Sequence, residues 1–187
     1  MTYDQSRYFF VDTETTGLDP DVHAVWEVAF IIDGHEYAWQ LSNDYRRHHM
    51  DAWAVDLTSL RLNRMLDRYD DSAAIEPESL AGLVLPEYPH TTLTGVLEGR
   101  HLVAANPKFD MDFLTPLFTV FEPDPPWHYR PICVESLAMG FTGEYVKGLK
   151  GSAEAVGVPY DESEAHSALY DARLAKQIFE AVMGGPE

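Results

Sequence analysis

Five side chains in three separate stretches have the types and spacing for metal-assisted hydrolysis. Asp12 and Glu14 lie two residues apart at the end of an apolar run. Because strand side chains alternate between faces, both carboxylates point the same way. Neighbouring carboxylates resist joint ionisation, and a hard divalent cation such as Mg²⁺ or Mn²⁺ between them removes that cost. Taken alone, the pair is also compatible with a solvated strand end.

Two more acids and a histidine complete the set. Asp110 follows Asn106 by four residues, and an acid just inside a helix N-terminus commonly offsets the helix dipole. Asp171 lies on the last predicted helix, five residues after His166. Each of these positions has an ordinary explanation by itself, either as a helix-terminal charge or as a solvated surface group. A functional interpretation therefore depends on the three stretches together.

In order and spacing, the three stretches resemble the DEDD exonucleases, in the DnaQ-like and ribonuclease T-like subgroup that has a histidine five residues before the last aspartate. The matching segments are residues 11–18, 106–110 and 166–172, and the resemblance extends from Phe9 to about Val182. One departure is visible, because Ala105 occupies a position where the family often has a histidine.

The resemblance implies a ribonuclease H-like fold and a site for two divalent cations, Mg²⁺ or Mn²⁺. Asp12 would bridge both cations, while Glu14 and Asp171 would complete the site of the cation that holds the attacking water. Asp110 would act through bound water or the second cation. His166 would be the general base, a task that suits the ordinary imidazole pKa of about 6.5.

The implied activity is 3′→5′ exonucleolytic hydrolysis that releases nucleoside 5′-monophosphates, with DNA slightly favoured. Thr15, Thr16 and Leu18 would form the pocket for the terminal nucleotide, next to Asn106. Backbone N–H groups of the 15–17 turn would meet the 3′-hydroxyl, and Leu18 would wedge against the base. Phe109 is equally compatible with stacking on a base and with a place in the core.

Three alternatives remain open at this point. An exoribonuclease would act on short or 3′-terminal RNA with the same acids. A non-catalytic, polymerase-associated binding module would keep the fold but would have no need of all four acids and His166. A ribonuclease H-type endonuclease would share the fold and the acids, but not the pairing of a histidine with an aspartate five residues later.

The apolar pattern predicts an α/β domain in which three antiparallel strands open a mixed five-stranded sheet flanked by helices. Asp33-Gly34 is a hairpin signal, and Asn106 followed by Pro107 is a helix start. Ser163 is predicted to cap the last helix, which Gly184 ends. The predicted strands are residues 8–11, 25–32, 36–41, 101–105 and 131–134. The predicted helices are residues 57–69, 93–97, 107–120, 136–141, 149–156 and 163–183.

Composition sets further expectations. The 187 residues suit a single domain, 1–187, and no apolar run is long enough to span a bilayer. Cys133 is the only cysteine, and residues 1–8 lack an apolar signal core, which together indicate a reducing, cytoplasmic location. The net charge of −18 disfavours tracking along a polyanion and favours binding at a nucleic-acid 3′ end, single-stranded or frayed. A polymerase or a second copy of the chain is a further potential partner.

Overall fold

The sheet has the predicted mixed architecture. A computed structural model describes residues 2–42, 67–120 and 123–184. Its five strands follow the order β3-β2-β1-β4-β5. Pairing of β1 with β2 and of β2 with β3 is antiparallel, whereas β1–β4 and β4–β5 are parallel. The strands are β1 (Tyr8–Thr15), β2 (Val25–Ile32), β3 (His35–Gln40), β4 (His101–Ala104) and β5 (Ile132–Cys133).

The central strand β1 is longer than its apolar run. The sequence predicts a strand that ends at Val11, followed by a polar turn, and this prediction is wrong. Pairing with β2 carries the strand on to Thr15, with Thr13 opposite Val28 and an irregular register between Glu14 and Thr15. Partner-strand hydrogen bonds therefore hold polar residues in an extended conformation that local sequence does not favour.

Five α-helices are described around the sheet. The second begins at Pro107, a residue tolerated in the first turn because its missing N–H has no helical partner there. The last ends at Gly184, which adopts the left-handed conformation with φ of 90°. The helices are α1 (Leu93–Leu97), α2 (Pro107–Phe118), α3 (Val134–Thr142), α4 (Gly148–Val156) and α5 (Ala168–Met183).

Several boundaries differ from prediction. The N-cap of α5 is Ser167, because the Ser163 hydroxyl donates instead to the Asp161 carboxylate at 2.7 Å in a local turn. The fifth strand has two residues, since α3 already begins at Val134. Asn106 does occupy the N-cap of α2, although its side chain makes no capping hydrogen bond among the described residues.

Helices cover both faces of the sheet, and alternate residues of β1 face different layers. Phe9 and Val11 pack with α1, α2 and Trp127 in one core. Phe10 packs in the other core against α3, α4 and α5, where Phe179 is fully buried. Along β1, odd-numbered side chains therefore face α2 and even-numbered ones face α5.

The predicted helix over residues 57–69 falls largely in 43–66, outside the described residues. Within the described ranges, no helix is both long and apolar enough to cross a membrane.

Candidate active site

The alternation of β1 directs its acids toward α5. Asp12 and Glu14 follow Phe10 on even positions, whereas Thr13 lies on the opposite face. Glu14 is buried, and Asp12 is partly buried at the floor of a cleft of about 220 Å³. The two carboxylates thus share one side of the central strand, as the spacing predicts.

Asp110 approaches the same cleft from the other layer. Helix α2 starts directly after β4, which is parallel to β1, so its first turn lies at the same edge of the sheet as the end of β1. The Thr13 hydroxyl donates to Asp110 Oδ1 at 2.8 Å. Burial of this carboxyl raises its pKa to about 7, against the lowering effect of the Thr13 hydrogen bond.

His166 and Asp171 enter from the start of α5. Ligand-type atoms of Glu14, His166 and Asp171 all lie within 4.8 Å of one another. This spacing suits groups that share a cation or a water molecule. The backbone of His166 has φ of 65°, a left-handed conformation that costs a residue other than glycine roughly 1–2 kcal/mol.

The cluster is electrostatically costly without a counter-ion. Burial raises the pKa of Asp12 well above its usual range, and the neighbouring acids raise it further. In order of effect, these neighbours are Asp110, Asp171, Glu14 and Glu27. Divalent cations suit such a concentration of carboxylate oxygens, because they favour the ionised form of every acid in the cleft. The residues present therefore fit the implied cations.

The predicted nucleotide-binding residues divide into two groups. Leu18, Asn106 and Phe109 line the cleft, and the Leu18 side chain is 66% exposed. Thr15 and Thr16 are buried and do not line it. Their polar groups serve the loop that links β1 and β2: Thr15 Oγ1 donates to the Gly17 carbonyl at 2.6 Å, and the Thr16 N–H donates to the Ala24 carbonyl at 2.9 Å.

Phe109 lies both against the core and at the cleft, and its stacking role stays a prediction. Its ring packs on Phe113, with ring centroids 4.8 Å apart, and it contacts the core on the α2 side of the sheet. The same residue lines the cleft beside Asn106. One part of the ring is thus anchored, which lowers the entropic cost of using the other part for stacking.

Sequence reasoning missed three residues beside the cleft: Thr13, Glu27 and Arg68. The position of Thr13 on the α2 face follows from alternation along β1, once the strand is known to reach Thr15. Glu27 is the cross-strand partner of Glu14, and strand register supplies that signal. For Arg68, which donates to the His166 carbonyl at 2.7 Å, no local signal exists.

Known proteins similar to the whole chain are nucleases. Ribonuclease T of Buchnera aphidicola subsp. Schizaphis graminum is 26% identical over 180 residues, which cover 90% of this chain and 79% of that protein. Ribonuclease T of Klebsiella pneumoniae subsp. pneumoniae is 24% identical over 205 residues, which cover 94% of this chain and 85% of that protein. No protein-family profile matches the chain.

Solved structures of exonuclease I share the fold. One superposes with a TM-score of 0.63 at 13% identity, covering 95% of this chain and 41% of that chain. Escherichia coli exonuclease I in complex with a dT13 oligonucleotide gives a TM-score of 0.59 at 14% identity, covering 94% and 40%. The chain thus spans about two fifths of the length of these exonuclease I chains.

The chain is similar to ribonuclease T along most of its length, which supports the resemblance to the DEDD exonucleases of the histidine subgroup. Its fold is ribonuclease H-like, as the resemblance implies. All four acids and the histidine lie within one cleft.

Proposed function

We propose that the protein is a metal-dependent 3′→5′ exonuclease that removes nucleotides one at a time and releases nucleoside 5′-monophosphates. The observation that carries this proposal is the convergence of five groups from three elements in one cleft. These groups are Asp12, Glu14, Asp110, Asp171 and His166. A non-catalytic binding module would gain nothing from concentrating repelling acids around a histidine.

The four acids hold two divalent cations in the proposed mechanism. Bound cations supply Lewis-acid stabilisation of the charge that develops on the phosphate, and they lower the pKa of water. Asp12 is central because every other acid of the cluster acts on it electrostatically. Glu14 and Asp171 lie close to His166, whereas Asp110 lines the cleft from the α2 side.

His166 accepts the proton of the attacking water. Its ring nitrogen lies within 4.8 Å of carboxylate oxygens of both Glu14 and Asp171. A water molecule held by those carboxylates is therefore within reach of the imidazole. The ordinary pKa of an imidazole allows it to take up a proton near neutral pH and release it to solvent afterwards.

Cleft shape supports action at a chain end. Leu18 and Phe109 line the cleft that contains the acids, so a terminal base can be held between an aliphatic and an aromatic side chain. The volume of about 220 Å³ suits one nucleotide rather than a continuous strand. We therefore propose that the 3′-terminal nucleotide enters with its scissile phosphate directed toward Asp12.

Both DNA and RNA are candidate substrates. The turn that follows β1 led the sequence interpretation to favour DNA slightly. The relatives named ribonuclease T, which match most of the chain, support RNA as the second candidate. Exonuclease I shares the fold, and its complex with a dT13 oligonucleotide supports DNA as the other candidate.

The deciding experiment is incubation of the protein with single-stranded DNA, double-stranded DNA and short RNA, each labelled at the 5′ end. With Mg²⁺ or Mn²⁺ we expect ladders that shorten from the 3′ end, and mononucleotides carrying a 5′-phosphate. Substrates with a 3′-phosphate should resist. Asp12→Asn is the matched inactive control, since it removes one charge and keeps the side-chain volume.

Three results would refute the proposal. Activity that persists in excess chelator would exclude the cation-dependent mechanism. Cleavage of a circular single strand would show an endonuclease. A protein that binds 3′ ends without cleaving any of the substrates would instead be a binding module.

A further inference from the structure

We propose that Arg68 is a positioning residue that fixes the His166 backbone and so places the imidazole over the acids. The inference deepens the proposed function and depends on it for the role of His166. Arg68 itself lies outside the carboxylate cleft, on the segment between β3 and the 3₁₀ helix Pro77–Gly82. It therefore acts through His166 rather than on substrate.

Two hydrogen bonds hold the loop, one at its strained residue, His166, and one just after it. The Arg68 guanidinium donates to the His166 carbonyl at 2.7 Å. Two residues further along, the Ala168 N–H donates to Glu27 Oε2 at 3.2 Å. Since His166 has φ of 65°, its conformation persists only where the surroundings determine it. Arg68 and Glu27 supply two of the contacts that do so.

Arg68 is itself held against the sheet. Its guanidinium lies 3.5 Å from Glu27 Oε2 and stacks over the Trp26 ring at 5.9 Å. The Arg68 carbonyl accepts a hydrogen bond from Gln40 Nε2 at 2.9 Å, and Gln40 is the cross-strand partner of Glu27. Through its side chain and its backbone carbonyl, Arg68 thus links β2, β3 and the loop that precedes α5.

The positive charge of Arg68 also affects the electrostatics of the cleft. Glu27 pairs across the strands with Glu14, and its charge acts on Asp12. The guanidinium of Arg68 beside Glu27 offsets this fifth carboxylate at the margin of the cleft. Replacement of Arg68 by alanine would have two effects. It would remove the hydrogen bond to the His166 carbonyl, and it would remove the guanidinium charge beside Glu27.

The matched control is Arg173→Ala. Arg173 pairs in a bidentate manner with Glu36, and so joins α5 to β3 as Arg68 joins the His166 loop to β2. The two arginines are similarly accessible, with side chains 46% and 34% exposed. Of these two arginines, Arg68 is the one that donates to the His166 carbonyl. A general loss of ion pairing would therefore lower activity in both variants, whereas a loss of His166 positioning would lower it in Arg68→Ala alone.

The first measurement is steady-state kinetics of Arg68→Ala, Arg68→Lys and Arg173→Ala on the best substrate of the wild type. We expect Arg68→Ala to lower kcat about 10–100-fold with KM within about 2-fold, because a misplaced base affects the chemical step more than binding. Arg68→Lys should have a kcat between those of the wild type and Arg68→Ala. A lysine can reach either the His166 carbonyl or Glu27, but it cannot bind both at once as a guanidinium does. Added guanidinium ion should partly restore Arg68→Ala.

The second measurement does not need activity. The chain has eight histidines, and His166→Gln assigns the ring signal of His166 in an NMR spectrum. We expect that signal to shift or broaden in Arg68→Ala and to stay unchanged in Arg173→Ala. An unchanged His166 signal, or equal kcat in the two alanine variants, would overturn the role of Arg68. If the wild type cleaves no substrate while the signal still moves, the proposed function fails and the positioning contact is retained.

Discussion

Asp110 occupies a position where an ionised carboxylate is costly unless a cation is bound. It is 3% exposed, and its one described side-chain donor is the Thr13 hydroxyl. Raising its pKa to about 7 means that the folded, metal-free protein prefers the protonated acid. Such a group contributes stability below the pKa of the unfolded chain, about 4, and loses that contribution as pH rises through about 7.

Asp110→Asn should therefore stabilise the metal-free protein at alkaline pH. Asparagine can still accept the Thr13 hydrogen bond but carries no charge. We expect a gain of roughly 1–3 kcal/mol at pH 8 and almost none at pH 4, measured by urea unfolding in chelator. Asp112→Asn is the control, since Asp112 lies on the same helix and pairs with Lys108 at the surface. A wild-type protein whose metal-free stability rises between these pH values would contradict the prediction.

His166 can serve as a base or as a ligand, and a single substitution separates the two roles. As the base, His166→Ala should lower turnover about 10²–10⁴-fold and leave Mn²⁺ affinity nearly unchanged. Calorimetric titration of Mn²⁺ measures the second quantity, with Asp171→Asn as the variant expected to lose affinity. The test is needed because His166 lies as close to Glu14 and Asp171 as a third ligand would. A similar loss of affinity in both variants would assign His166 to the cation.

At the scale of elements, the loop between β1 and β2 joins the acids to the proposed nucleotide pocket. Its base is closed by paired hydrogen bonds: Thr16 N–H to the Ala24 carbonyl at 2.9 Å, and Ala24 N–H to Thr16 Oγ1 at 3.0 Å. These bonds present Leu18 at the cleft. The His23 ring packs inside the loop, where the Asp19 N–H donates to its Nδ1 at 3.2 Å.

Gly17→Ala should displace this loop. A β-carbon at Gly17 would lie 2.2 Å from His23 Cδ2 and 2.5 Å from His23 Cγ, so the ring or the backbone must move. We expect KM to rise several-fold with a smaller effect on kcat, and a stability loss of about 1–3 kcal/mol. Gly140→Ala is the control, since its added carbon would meet no atom within 4 Å beyond its chain neighbours and the adjacent backbone of its own helix.

A second substitution tests the cause. In the His23→Ala background the clash is absent, so Gly17→Ala should cost little there, and the two substitutions should be strongly non-additive. An additive pair would show that the glycine is required for a reason other than the His23 ring.

For the whole molecule, the charge of −18 limits how a nucleic acid can be held. Lys108 and Lys150, basic residues near the second and third motifs, lie 2.6 Å from Asp112 and 2.8 Å from Glu162. Local acids thus already compensate these cations. Phosphate neutralisation by basic side chains should contribute little, and binding should depend on cations and base stacking.

Salt dependence measures this directly. We expect kcat/KM on an oligonucleotide to fall with a log–log slope shallower than about −1.5, equivalent to about two neutralised phosphates of a single strand. Lys108→Ala should leave the slope unchanged. The protein should release its substrate after few cleavages per binding event, so products of intermediate length should accumulate. A steep slope, or long processive digestion, would show that a local basic groove overrides the net charge.

Residue chemistry and local periodicity determined much of this protein from the sequence alone. Asp12 and Glu14 share a face because strand side chains alternate, and Asn106-Pro107 starts α2 because both residues suit a helix N-terminus. The apolar stripe of α5 likewise predicts its buried face. These features depend on residues a few positions apart, so the sequence predicts them without knowledge of the tertiary structure. The proposed roles of the four acids and His166 remain predictions.

Only the tertiary structure decided what the acids touch. Pairing with β2 extended β1 to Thr15, and a hydrogen bond spanning 97 positions joined Thr13 to Asp110. Arg68 reached the His166 carbonyl across 98 positions. Such contacts leave no periodic trace in the chain, because they arise from packing of whole elements and not from the preferences of neighbouring residues. For the same reason, the residue type of Ser163 predicted a helix N-cap there, whereas the structure has Ser163 in a local turn and Ser167 as the N-cap of α5.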